Sequence, residues 1–250
     1  MLTSRIIPCL DVRGNRVVKG VQFQGLRDVG APHELAEMYE QQGADEIVVL
    51  DVAATVKEQQ TQLETVTSVR EKLSIPLTVG GGIRSIDDMQ RLTDAGADRI
   101  SINTAAVGNP RFVSNAASRF GSQCVVVAID AKSRGASWQV VTHSGSIETG
   151  IDVIDWAAQI EAQGAGEILL TSFDRDGQRN GYDCDLLNAC SSRVSIPVIA
   201  SGGANNAVDL FAGINAGASA VLLASILHDG VTTVTKLKQQ LESMGANIRK

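Results

Sequence analysis

The 250-residue chain is short of several things, and each shortage excludes a class of protein. No apolar run approaches the roughly 18 residues a membrane span needs. The opening "MLTSRIIPCLDV" has no apolar signal core and no small-residue cleavage site, so no secretory leader is expected and the protein is expected to be cytoplasmic. Basic charge is in deficit: the net charge is −6 and the pI about 5.1, which argues against a nucleic-acid grip through a basic surface. Histidines number three (His33, His143, His228), too far apart for metal-ligand spacing, so no metal or cofactor is expected. His228 follows the eighth strand and could touch a ligand, but it reads first as a surface residue. The four cysteines (Cys9, Cys124, Cys184, Cys190) form no C-x-x-C pair and read as reduced packing residues. No serine or cysteine has a defensible His–Asp arrangement beside it.

What is present is a rhythm. Short β-branched runs occur at 5–11, 46–52, 76–80, 99–103, 124–130, 167–172, 197–201 and 220–225, with amphipathic stretches such as 32–42, 58–73, 85–95 and 152–163 between them. Apolar strands alternating with helices imply parallel β/α units. Eight units in this length predict one α/β domain over 1–250, a closed (β/α)₈ barrel, with a doubly wound open sheet as the rival. The chain also repeats itself. "GADEIVVLD" at 43–51 returns as "GAGEILLTS" 121 positions later, as do "VGGGI" at 79–83 and "GADRISINTAAV" at 96–107. "CLDV" at 9–12 and "AIDA" at 128–131 are 119 apart, so one loop differs by two residues. Two half-barrels, about 1–122 and 123–250, are expected, and function should be sought in pairs.

The first pair is Asp11 and Asp130, ending strands one and five on opposite sides of the barrel mouth. A lone Asp after a strand is usually a turn or cap residue. Two of them, related by the repeat at the carboxyl-end face where such barrels work, suit a general acid and a general base. The second pair is "VGGGIRS" and "ASGGANN", glycine-rich turns between strand and helix, each partnered by the next strand's end, "SINTAA" and "LLASIL". Such turns let backbone N–H groups approach an anion, and two sites half a barrel apart suit a ligand with phosphate at both ends. The third feature lies at the other face, where Arg5, Glu46, Arg99 and Glu167 open four strands. Alternation places Arg5 with Asp11, Arg99 with Asn103 and Glu167 with Thr171, so these charges either ring the barrel floor or solvate its rim. The same parity leaves Asp51 off the inward face, outside the chemistry.

With these residues assembled, the chain resembles the cyclase subunits of imidazole glycerol phosphate synthase, a histidine-pathway family. The likeness runs the whole length, through "RIIPCLDV", "VGGGI", "SINTAAV", "FGSQCVVVAIDAK", "GAGEILLTSFDRDG", "GYD" and "PVIASGGA". The resemblance implies a barrel whose strand-end aspartates, Asp11 and Asp130, are the acid–base pair, with the assignment between them open. It implies phosphate contacts at Gly82, Asn103 and Thr104 on one side and at Asp176, Gly177, Gly203, Ala224 and Ser225 on the other. Lys19 matches the lysine of a mobile loop folding over substrate. A glutaminase subunit would dock on the floor, where Asp98 matches the interface, and ammonia would enter through a gate of Arg5, Glu46, Arg99 and Glu167. Position 99 is Arg where Lys is expected, and a bulkier, bidentate side chain changes how such a gate opens. The sister isomerase of the same pathway and a silent phosphate-binding scaffold are the competing readings.

Overall fold

The computed structural model describes residues 3–21, 24–52 and 63–249. Among the described residues twelve strands run in chain order: β1 Arg5–Arg13, β2 Arg16–Val21, β3 Gln24–Gly30, β4 Ile47–Asp51, β5 Leu77–Gly80, β6 Arg99–Ile102, β7 Val125–Arg134, β8 Ser137–Thr142, β9 Ile147–Asp152, β10 Glu167–Ser172, β11 Val198–Ser201 and β12 Ala220–Leu223. Eight of them (β1, β4, β5, β6, β7, β10, β11, β12) pair in parallel, and the β10–β7 ladder closes the circle, so the open-sheet rival is excluded. Helices cover the outside. Their N-termini are fixed locally, as where Ser85 and Asp88 make a reciprocal capping box ahead of Ile86–Asp94. The expected helix at 58–73 is described as Leu63–Arg70, and its first residues, 58–62, lie outside the described residues.

Side-chain alternation divides the core into two shells. Outward-facing residues pack with the helices in one large cluster. Inward-facing Ile7, Cys9, Val48, Val126, Leu169, Ile199, Ala220 and Leu222 form a second, smaller one inside the barrel. Strand register repeats with the sequence: Ile47 pairs with Leu77 as Ile168 pairs with Val198, and Asp11 with Leu50 as Asp130 with Thr171.

One expectation changes here. The stretch after Asp11 reads as a flexible basic loop, but it is strand. β1 and β7 each run past the rim and fold back, β1 onto β2 and β3, β7 onto β8 and β9. The turns sit between Arg13 and Arg16 and between Arg134 and Ser137, with Gly14 (φ 65°) and Gly135 (φ 63°) in equivalent left-handed positions. These turns are 121 apart while the aspartates are 119 apart, so the two-residue difference lies in the longer overhang of β7 rather than in a loop.

Candidate active site

Inward parity on β1 sets Arg5, Ile7, Cys9 and Asp11 in one column from floor to mouth. At the carboxyl ends of the strands the barrel opens into a cavity of about 670 Å³. Asp11, Lys19, Gly82, Asn103, Thr104, Asp130, Asp176, Gly177, Gly203, Ala224 and Ser225 all line it, so eleven residues chosen from widely separated motifs share one space.

The two aspartates have different company. Asp130 accepts a hydrogen bond from Asn103 Nδ2 at 2.9 Å. Burial, helped by the nearby Asp176 charge and opposed by the Asn103 amide, pushes its carboxyl up to about 7. A carboxyl poised near neutrality suits proton transfer in either direction. Asp11 accepts from Lys19 Nζ at 3.2 Å and lies 3.5 Å from the Cys9 thiol. Lys19 Nζ is also 3.9 Å from Asp176, whose carboxyl is raised by burial and by Asp11 against the pull of Lys19. Burial would lower the Lys19 ammonium, yet Asp11 and Asp176 together hold it above its usual range, so it stays charged. Buried Asn103 Oδ1 and Asp176 Oδ2, on two residues that line the cavity, have no hydrogen-bond partner among the described residues.

The glycine turns follow the repeat closely. Gly81 (φ 100°) and Gly202 (φ 89°) are left-handed, and a Cβ on them would meet Asp51 O at 2.3 Å and Ser172 O at 2.6 Å, backbone atoms at repeat-related positions. Glycine is therefore dictated here by the strand-to-helix turn itself. Beyond each turn, Asn103 and Ala224 adopt nearly the same backbone (φ −129°, ψ −86° and φ −134°, ψ −77°). They start the short helices Thr104–Gly108 and Ser225–His228 without a side-chain cap, so the first N–H groups stay free of side-chain acceptors.

Sequence reasoning passed over several lining residues. His143 and Ser144 form the β8–β9 turn with φ of 53° and 55°, and the His143 N–H donates to Thr104 Oγ1 at 3.4 Å. The signal that could have found them is the polar, glycine-containing "HSGS" at 143–146. Arg179 is likewise left-handed (φ 55°) at the cavity wall. Asp51, off the inward parity, is nonetheless buried and borders the cavity at its strand end. His228 is half-buried rather than a free surface residue. Its Nδ1 meets Tyr39 Oη at 2.7 Å and its Nε2 meets the Cys9 carbonyl at 3.0 Å, which fixes the proton on Nε2. Burial drives its pKa down to about 4, so the ring is neutral. Its position after the last strand suggested the surface, but the short helix Ser225–His228 folds it back underneath.

At the opposite end the four predicted charges meet as a ring. Arg5 pairs with Glu46 at 2.9 Å and with Glu167. Arg99 Nη1 bridges Glu46 and Glu167, 2.9 Å from each. Thr78 Oγ1 donates to Glu46 at 2.5 Å. The Glu46 side chain is only 1% exposed, so these charges close the barrel floor rather than solvate its rim. Burial raises the Glu46 carboxyl against the pull of Arg99, Thr78 and Arg5. Asp98, beside the ring, accepts from Leu77 N at 2.8 Å and Arg70 Nη1 at 3.0 Å while its side chain stays half exposed on the floor face. Among the described residues, no helix is long and apolar enough to cross a membrane, and no cluster of His, Cys, Asp or Glu could hold a metal ion.

A closed parallel barrel with a half-barrel repeat, paired carboxylates over one cavity and a charged floor defines a (β/α)₈ barrel of the enzyme type. Comparison with known proteins narrows this. Residues 5–233 match the histidine biosynthesis protein family, and the chain belongs to it. The chain is 55% identical over 250 residues to the imidazole glycerol phosphate synthase subunit HisF of Myxococcus xanthus, covering 100% of this chain and 99% of that protein. It is 54% identical to subunits of the same name from two strains of Dehalococcoides mccartyi, at the same coverage.

Proposed function

We propose that this chain is the cyclase subunit of an imidazole glycerol phosphate synthase. It takes ammonia and a bis-phosphorylated ribulosyl formimino aminoimidazole carboxamide ribonucleotide to imidazole glycerol phosphate and aminoimidazole carboxamide ribonucleotide. The carrying observation is that Asp11 and Asp130, equivalent positions of two half-barrels, line one cavity with glycine turns on both sides of it. Ammonia attack on the ketose carbonyl forms an imine. One aspartate protonates the departing oxygen, and the other moves protons during ring closure. Asp130, with its pKa near 7, can carry a proton to the oxygen and return to the carboxylate. Lys19, charged beside Asp11, offsets the anionic substrate. Gly82, Asn103 and Thr104 serve one phosphate, and Gly177, Gly203, Ala224 and Ser225 the other, through backbone N–H groups and hydroxyls. The Asp176 carboxylate would repel a phosphate, so its contribution there is through its backbone.

The partner is a glutaminase subunit inside the cell, docked on the floor face at Asp98, its ammonia admitted through the Arg5–Glu46–Arg99–Glu167 ring. The test needs no partner. Purified chain, ammonium salt at alkaline pH and the bis-phosphorylated substrate should give the imidazole product. No turnover despite abundant ammonia sinks the assignment, and ketose formation from the aldose precursor would indicate the sister isomerase instead.

A further inference from the structure

At the cavity mouth three distant segments meet on one carboxylate. Asp229, the residue that ends the short helix Ser225–His228, accepts a hydrogen bond from Arg27 on one oxygen and from Arg179 on the other. Arg179 lies in the turn after β10, lines the cavity and holds a left-handed φ of 55°, a conformation that a non-glycine residue keeps only when its surroundings impose it. Arg27 belongs to β3, where the register sets it directly across from Lys19 on β2. Directly opposed residues of an antiparallel pair leave the sheet on the same face. The segment that fastens to Asp229 is therefore the one that delivers Lys19 to Asp11.

Among the described residues, the other half of the barrel shows no such clasp. Glu148 stands 121 positions after Arg27 and pairs with Lys132 and Gln139 of its own hairpin. Gly108 stands 121 positions before Asp229 and has no side chain to offer.

We propose that Asp229 is a positioning residue: by clasping Arg27 and Arg179 it fastens the β2–β3 hairpin to the barrel rim and holds Lys19 within reach of Asp11. This rests on the reading of Lys19 and Asp11 as parts of the working site. Side-chain exposures of 51% for Arg27, 34% for Arg179 and 28% for Asp229 make the two pairs partly solvated. Such pairs are individually weak and screened by salt, so the clasp biases the position of β2–β3 without locking it.

The experiment compares wild type with Asp229→Asn, which keeps the side-chain size, in two ways. Hydrogen exchange on the intact, ligand-free protein should speed up by about fivefold in the β2–β3 amides. The β8–β9 amides should not change, which makes that hairpin the internal control. The Kd for the bis-phosphorylated ribonucleotide, measured without ammonia so that nothing turns over, should rise by about fivefold. The same Asp229→Asn change made in a Lys19→Met background should add nothing to Kd. Unchanged β2–β3 exchange, or an Asp229→Asn effect undiminished by Lys19→Met, overturns the proposal. Wild type that fails to turn over with ammonia refutes the assigned reaction, while the exchange measurement still decides the clasp.

Discussion

The two hairpins above the barrel rim occupy repeat-related places and are held differently. β2–β3 is tied outward, through Arg27 to Asp229 and through Lys19 to Asp11. The charged ties of β8–β9 stay within the hairpin, Lys132 and Gln139 on β7 and β8 meeting Glu148 on β9, while its outward bonds, from His143 N–H to Thr104 and from Trp138 Nε1–H to Asp183, are not ion pairs. Away from the mouth the halves match closely. Glu40 accepts from Ser74 N, Ser74 Oγ and Ile75 N at 2.9, 2.5 and 3.2 Å, and Glu161 accepts from Ser195 N, Ser195 Oγ and Ile196 N at 2.8, 2.5 and 3.2 Å. Asp88 and Asp209 each hold the N–H four residues before them at 3.0 Å. The halves agree where the scaffold is braced and diverge where an asymmetric substrate must be received. The aspartates show the same split, Asp11 beside an ammonium and Asp130 beside an amide.

The largest effects test whether both halves carry chemistry. Asp11→Asn and Asp130→Asn should each lower ammonia-dependent turnover by about 10²–10⁴-fold while phosphate-ligand affinity holds. Near-normal kinetics in either variant would confine the chemistry to one half. Next, Gly81→Ala and Gly202→Ala should destabilise the fold by similar amounts, about 2–4 kcal/mol each in urea unfolding, because both drive a Cβ into a backbone oxygen. Clearly unequal losses would show that the two turns are not equivalent.

A third test is electrostatic. The Asp130 carboxyl is raised in the fold to about 7 from an unfolded value near 3.9. The native state thus binds this proton more tightly, and its contribution to stability is full below about pH 4 and is lost as pH rises through 7. Unfolding of wild type and Asp130→Asn across that window should diverge by about 1.4 kcal/mol per pH unit at most. Parallel curves would mean that Asp130 is not held protonated. At the floor, Arg5→Ala should reduce glutamine-dependent activity of the complex several-fold more than ammonia-dependent activity, and equal losses would remove the ring from ammonia entry. The smallest effect belongs to the β8–β9 hairpin, where Glu148→Ala should change turnover by less than about twofold. A larger drop would erase the contrast between the hairpins.

Much of this was legible in the sequence because two periodicities carry it. The strand period of two put Arg5 and Asp11 on one face, and the 121-residue repeat identified which features come in pairs. The hairpins were hidden by composition: Arg13, Arg16 and Lys19 make "RGNRVVKG" read as solvated loop, although "RVVKGV" is β-branched and Gly14 supplies its turn. Burial at His228 comes from a four-residue helix that turns it back toward Tyr39 and Cys9, which no local pattern announces. The Asp229 clasp joins positions 27, 179 and 229, and only the strand register shows that Arg27 faces the same way as Lys19.

The floor ring has a consequence for how such a chain can change over generations. Its two arginines and two glutamates sum to zero, and each carboxylate serves both guanidiniums. Neutralising any one member strands a charge in a poorly hydrated place, which is far costlier than the surface average. Drift at these positions is therefore confined to exchanges that keep the sign, such as Arg for Lys at 99, or to the loss of one cation and one anion together. Four residues from four strands are thus bound into one unit of inheritance, tolerant of substitution in kind and closed to substitution singly.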